Sequence, residues 1–220
     1  MNDAFALFLR LFTDLDALLA EFVRDYGVWT YAILFAIVFC ETGLVVLPLL
    51  PGDSLLFGMG AIAAIGELDV RQVGLIIFVA ALTGDNLNYR IGRFIGPRAF
   101  GGNVRWLKRS HLERTQRFFD KHGAKAIIFA RFAPIVRTFA PFVAGVGKMP
   151  YGRFLLSSIV GALLWVGLFV GAGFLFGNLP IVKQHFSKVV LLIIVLSLLP
   201  FVWGWWSARR ANTTDARSND

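Results

Sequence analysis

Four charged side chains stand inside strongly apolar sequence: Glu41 and Asp53 in the first half of the chain, Arg131 and Arg137 in the second. A charge at the centre of a membrane helix costs about 2.5–3.5 kcal/mol on insertion scales. Four left unpaired would cost on the order of 10 kcal/mol, comparable to the stability of a whole domain. Pairing the two acids with the two arginines removes that cost and also builds a site. Guanidinium groups grip a phosphate through forked hydrogen bonds. Carboxylates beside them are tunable proton acceptors, because burial favours their neutral form and a nearby arginine their charged form. The plain alternative is a set of salt bridges that only joins two parts of the fold. Such pairs rarely outperform an apolar core, so stability alone accounts for them poorly. The chemistry expected is phosphate binding at Arg131 and Arg137 with proton coupling at Glu41 and Asp53.

A second polar group, Gly84-Asp85-Asn86-Leu87-Asn88-Tyr89, closes an apolar segment. Asp85, Asn88 and Tyr89 read either as an interfacial cap or as polar lining of the same cavity. No cofactor and no metal are expected. His111, His122 and His185 fall in the loops, and neither a His-Glu-x-x-His pair nor a Gly-x-Ser-x-Gly elbow occurs. A lipid phosphatase usually relies on a histidine as nucleophile or general acid, so an enzyme is not expected.

The elements that position these groups follow from the solvent. Apolar residues make up 57% of the chain and charged residues 16%, against roughly a quarter in ordinary soluble domains. A 220-residue soluble domain has too much surface to cover for that balance, so the surrounding medium is lipid. Residues 4–24 place Phe5, Phe8, Leu9, Phe12, Leu15, Leu19 and Phe22 at helical spacing, which predicts an amphipathic interfacial helix over 1–26. The apolar run 28–40 is too short for a span of about 20 residues. Its helix must therefore continue and carry Glu41 into the membrane.

The stretch 42–65 is apolar but interrupted by Pro48, Pro51 and Gly52, and 126–147 by Arg131, Pro134, Arg137 and Pro141. These residues are expected to break helices, since proline removes a backbone donor and clashes with the preceding turn. A broken apolar stretch carrying charge predicts a re-entrant hairpin facing protein or a wet cavity. Clean spans are expected over 73–91, 154–176 and 189–206. Gly145, Gly161 and Gly171 are expected to allow close helix packing, and Trp165 to lie in the core.

Ten Lys and Arg residues between Arg90 and Lys125 face only Glu113 and Asp120. The loop 92–125 is therefore expected on the cytoplasmic side, with anionic headgroups as a neighbour. Flanking spans argue against nucleic acid as the partner. The tail 208–220 opens with Arg209 and Arg210 and belongs on the same side. Two spans between two cytoplasmic segments leave 126–147 as a segment that enters and leaves on one side. The fold class expected is all-α integral membrane: transmembrane helices plus two re-entrant hairpins, one per half, in an inverted repeat. The N-terminus lacks a basic n-region and a cleavage site, so no cleavable signal is expected. Cys40 stands alone and forms no internal disulfide. Self-association is compatible with the sequence.

At these residues the chain resembles the DedA family of bacterial inner-membrane proteins, which share the VTT domain. The matching stretches are 39–43, 50–53, Gly84-Asp85 with Tyr89, Gly92-Arg93, 130–137, 140–145 and 161–165, and the resemblance runs from about Phe22 to Trp206, through the membrane domain 27–207. The resemblance implies a multi-pass protein related to lipid scramblases, with Glu41, Asp53, Arg131 and Arg137 at the family's functional positions. It implies undecaprenyl phosphate, the lipid carrier of wall synthesis, as a substrate moved across the inner membrane, and the expected movement is proton-coupled. Less selective phospholipid scrambling, or small-ion/proton antiport supporting the proton-motive force, are the other functions it allows.

Overall fold

A computed structural model describes residues 21, 23–44, 52–101, 122–180, 182, 188, 189 and 192. Residues 1–20 and 22 of the expected interfacial helix over 1–26, Pro48 and Pro51, most of the span over 189–206 and the tail 208–220 lie outside the described residues, while 21 and 23–26 are helical. Every described element is a helix, as expected for an all-α protein. They are α1 (Trp29–Gly43), α2 (Gly52–Ala64), α3 (Val70–Gly101), α4 (122–130), α5 (Pro134–Val146) and α6 (Tyr151–Phe176).

Among the described residues, two helices are long and apolar enough to cross a membrane: α3 over Val70–Gly96, and α6. Asp69 starts α3, its carboxylate accepting the backbone N–H of Arg71 at 2.8 Å and of Gln72 at 3.4 Å, as an N-cap does. With 32 residues, α3 is about 48 Å long, against a hydrocarbon core of about 30 Å. It therefore runs on through residues 92–101, which the charge pattern assigned to a loop. Packing overrides that pattern: Gly92 and Gly96 lie against the backbone of Phe142 and Val146 in α5, which holds this end of α3 helical. Residues 102–121 of the expected loop lie outside the described part, and 122–125 open α4.

The short helices end where their sequences break. α1 carries Glu41 in its last turn and stops at Gly43, and α2 begins at Gly52 with Asp53 in its first turn. α4 stops before Arg131, the chain turns through Phe132 and Ala133, and Pro134 opens α5 at a position that tolerates proline. Pro134 thus starts a helix rather than interrupting one, and Gly52 does the same for α2. Pro141 does not break its helix either; it sits inside α5. The ring removes a backbone donor from α5. The Asn88 side chain of α3 donates to the Thr138 carbonyl of the same stretch at 2.6 Å and ties it to α3. α5 ends in a Schellman arrangement, with Lys148 at φ 55° and the N–H of Met149 returning to the Ala144 carbonyl.

The two halves exchange partners. α2 packs along α6, α5 packs along α3, and α1 also rests on α3. Both of the first two crossings are made by facing glycines. A Cβ on Gly60 would lie 3.0 Å from the Phe174 nitrogen, and one on Gly173 2.9 Å from the Phe57 carbonyl carbon. A Cβ on Gly92 would lie 2.9 Å from the Phe142 carbonyl carbon, and one on Gly145 2.7 Å from the Arg93 nitrogen. Ordinary non-bonded carbon contacts are about 3.5–4.0 Å, so no side chain fits at any of the four. Gly145 thus does what its sequence context predicts. Gly161 admits Ile128 of α4 at ordinary contact distance, while a Cβ on Gly171 would meet nothing within 4 Å among the described residues. Gly92→Ala and Gly145→Ala should each destabilise the protein by about 1–3 kcal/mol through overpacking. Gly171→Ala should be neutral or stabilising, since alanine is the better helix former. Apparent melting temperatures in detergent check the contrast.

Candidate functional site

The charged residues of the sequence converge where the broken helices end. Glu41 comes from the last turn of α1, Asp53 from the first turn of α2, and Asp85 from the middle of α3. Arg131 lies in the break before α5 and Arg137 in its first turn. α6 supplies Ser158 and Trp165. All seven are buried, with Glu41 and Asp85 at 1% exposure and both arginines at 3%.

Arg137 is the hub. Its Nη2 donates to Glu41 Oε1, and its Nη1 donates to Asp53 Oδ1 at 2.7 Å. The indole N–H of Trp165 donates to the same Asp53 oxygen at 2.8 Å. The Trp165 ring lies beside both guanidiniums, 4.8 Å from Arg137 Cζ and 5.4 Å from Arg131 Cζ. Cations over an indole face are attracted to its ring quadrupole. Gly52 opens the space for this arrangement, because a Cβ there would lie 2.6 Å from Glu41 Oε1.

Arg131 does not join Glu41 or Asp53. Its Nη1 donates to Asp85 Oδ2, which also accepts from the Ser158 hydroxyl at 2.5 Å. The expected pairing of two acids with two arginines is thereby corrected to three acids against two, with Asp85 as the third. A cavity of about 10 Å³ separates the two arginines, lined by Asp85, Ile127, Arg131, Arg137, Ala140 and Pro141. That is room for about one water molecule.

The other two residues of the α3 polar group do not line this cavity. Asn88 is buried and bridges helices, donating to the Thr42 carbonyl at 3.2 Å and the Thr138 carbonyl at 2.6 Å. Tyr89 stands one helical turn beyond Asp85, about 6 Å along the axis. Its ring stacks on Phe154, its hydroxyl donates to the Met149 carbonyl at 2.5 Å, and it accepts from Arg93 at 2.7 Å. It fastens the α5–α6 turn to α3.

Sequence reasoning missed Trp165 and Ser158. Trp165 was expected to be core, and it is fully buried, but its N–H is committed to Asp53. A signal was present: Ser158, Gly161 and Trp165 recur at spacings that share one helix face, and a buried indole N–H needs an acceptor.

The VTT domain model matches residues 50–175, more than half of the chain. The protein belongs to the VTT-domain, or DedA, family. It is similar to Protein DedA of Escherichia coli, at 52% identity over 86% of this chain and 87% of that one. Inner membrane protein YghB of the same organism is 34% identical over 76% of this chain and 77% of its own length. An uncharacterized membrane protein of Mycobacterium leprae is 43% identical over 83% of this chain and 82% of its length. No solved structure matches. The domain segment of this DedA-family chain holds Asp53, Asp85, Arg131, Arg137, Ser158 and Trp165, while Glu41 lies upstream of it.

Trp165→Phe keeps the ring beside the arginines and removes only the donor to Asp53. A hydrogen bond to a charged group contributes about 1.5–3 kcal/mol, so the variant should melt at a lower temperature than wild type. An unchanged melting temperature would show that the indole N–H does not anchor Asp53.

Proposed function

We propose that the protein carries a lipid phosphate across the bacterial inner membrane, with undecaprenyl phosphate as the lipid and protons as the coupling ion. The observation that carries this reading is the joining of two buried guanidiniums to three buried carboxylates, two of them at the ends of broken helices and the third, Asp85, in α3. Paired broken segments in corresponding places of two halves are the membrane-transporter pattern, with the site at the repeat interface. Arg137 also sits at the N-terminal end of α5, where the helix dipole favours an anion. Membership of the DedA family and the printed name of YghB support the inner membrane as its location.

In this reading a phosphate reaches Arg137 only by displacing Glu41 or Asp53. The freed carboxylate, held in a poorly solvated cavity, takes a proton, because burial disfavours its charged form once the arginine is gone. Losing the proton restores the ion pair and expels the phosphate. No bond of the lipid is broken, so the protein acts as a carrier and not as an enzyme. The cavity of about 10 Å³ favours a second reading, small-ion/proton antiport, in which no lipid enters.

Liposomes containing labelled undecaprenyl phosphate, with and without a pH gradient, separate these readings. Wild type should move the lipid faster under the gradient. Movement indifferent to the gradient would indicate scrambling, and proton flux without lipid movement would indicate the antiporter. Glu41→Gln imitates the protonated acid, so it should retain phosphate binding and lose dependence on the gradient. Arg137→Lys keeps the charge without the fork, and transport should fall about tenfold or more. The topology proposed with this function puts 126–147 in a re-entrant hairpin, with the basic loop and the C-terminus cytoplasmic. Cysteines replacing Lys125 and Lys148, in a background lacking Cys40, should both react only from the cytoplasmic side; labelling of position 148 from outside would rule out the hairpin.

A further inference from the structure

Arg131 and Arg137 differ in what their guanidiniums hold. Arg137 uses both terminal nitrogens, one on Asp53 and one on Glu41, which leaves Nε alone without a partner. Arg131 uses only Nη1, on Asp85. Its Nε and Nη2 are buried and have no hydrogen-bond partner among the described residues. Those two nitrogens form one edge of the planar group, a pair of parallel N–H donors spaced for two oxygens of one oxyanion. A buried donor without an acceptor is costly. Here two occur on one edge of a side chain that is 3% exposed and lines the cavity between the arginines.

The opposite corner of the same guanidinium is fixed. Asp85 Oδ2 accepts from Arg131 Nη1 and from the Ser158 hydroxyl, so α3 and α6 together hold the group from one side. Asp85 Oδ1 is itself buried and without a hydrogen bond. The described buried charges are Glu41, Asp53 and Asp85 against Arg131 and Arg137. With every group ionised the negative charges outnumber the positive by one, and Asp85 is the acid that does not touch Arg137.

We propose that Arg131 is the landing point for the phosphate, receiving two of its oxygens on the Nε/Nη2 edge, and that Asp85, held by Ser158, is the residue that positions this edge. The inference rests on the phosphate-carrier reading and divides its labour. Arg131 meets the anion first without displacing any partner, and the bound anion then takes Arg137 from one of its acids. Asp85 also sets the affinity, because its charge opposes the incoming anion through the same guanidinium.

The test uses the full chain in mild detergent, titrated calorimetrically with decyl phosphate, a phosphate monoester on a short tail. Inorganic phosphate and dodecylphosphocholine, a diester, serve as comparison arms. Arg131→Lys should weaken decyl phosphate binding about tenfold or more, because lysine keeps the charge and loses the fork; Arg137→Lys should weaken it much less. Asp85→Asn keeps a hydrogen-bond acceptor for Arg131 and removes one negative charge, so binding should tighten severalfold. A merely structural role for Asp85 predicts no such gain. Ser158→Ala keeps all charges and loosens Asp85, and it should weaken binding modestly. Equal losses in the two lysine variants, or weaker binding in Asp85→Asn, overturn this division while leaving the carrier reading intact. Absence of decyl phosphate binding in wild type overturns both. Inorganic phosphate binding as tightly as decyl phosphate keeps the landing point but removes the lipid from the carrier reading.

Discussion

The guanidinium of Arg137 holds the molecule together where its helices are interrupted. It reaches Glu41 at the end of α1 and Asp53 at the start of α2, and Trp165 of α6 braces it from below. Two elements of the first half and the long helix α6 thus depend on one side chain from the second half. Removing one partner of a buried ion pair typically costs about 3–5 kcal/mol, because the remaining charge stays buried. The glycine crossings serve the same end. Only with backbones this near can helices as short as α2 and α5 bring their first turns to a common point beside α3 and α6.

Much of this was legible in the residues. The cost of intramembrane charge singles out Glu41, Asp53, Arg131 and Arg137, and the structure buries all four, in two ion-paired groups on either side of Trp165. The break before Arg137 follows from Pro134, and the long helices from their apolar runs. Three features were not legible. Pro141 reads as a breaker, yet α5 runs through it while packed along α3, and no local rule contains that tertiary support. The helix over 92–101 reads as loop because its charges were weighed and its contacts with α5 could not be. The pairing of Arg131 with Asp85 depends on the rotation of α3 against the break at 131–133, a tertiary quantity that spacing alone leaves open.

The exchange of partners between halves bears on how such a site could work. α2 rests on α6 and α5 on α3, so each long helix is packed against the short helix that brings the other half's charges. Loosening the Arg137 pairs would free one packed unit to move against the other as a body, the kind of rocking by which repeat-built transporters expose a fixed site to alternate sides. The small volume between the arginines fits this picture: a phosphate group would be admitted as the acids withdraw.

The central claim is that an anion and a proton arrive together, because the anion takes an arginine from a carboxylate. Proton uptake on binding tests it most directly, measured by titrating the protein with decyl phosphate in buffers of different ionisation enthalpy. The account predicts uptake of about one proton per bound anion in wild type, and markedly less in Glu41→Gln combined with Asp53→Asn. Binding of the anion with no net proton uptake in wild type, or with uptake unchanged in the double variant, would contradict it.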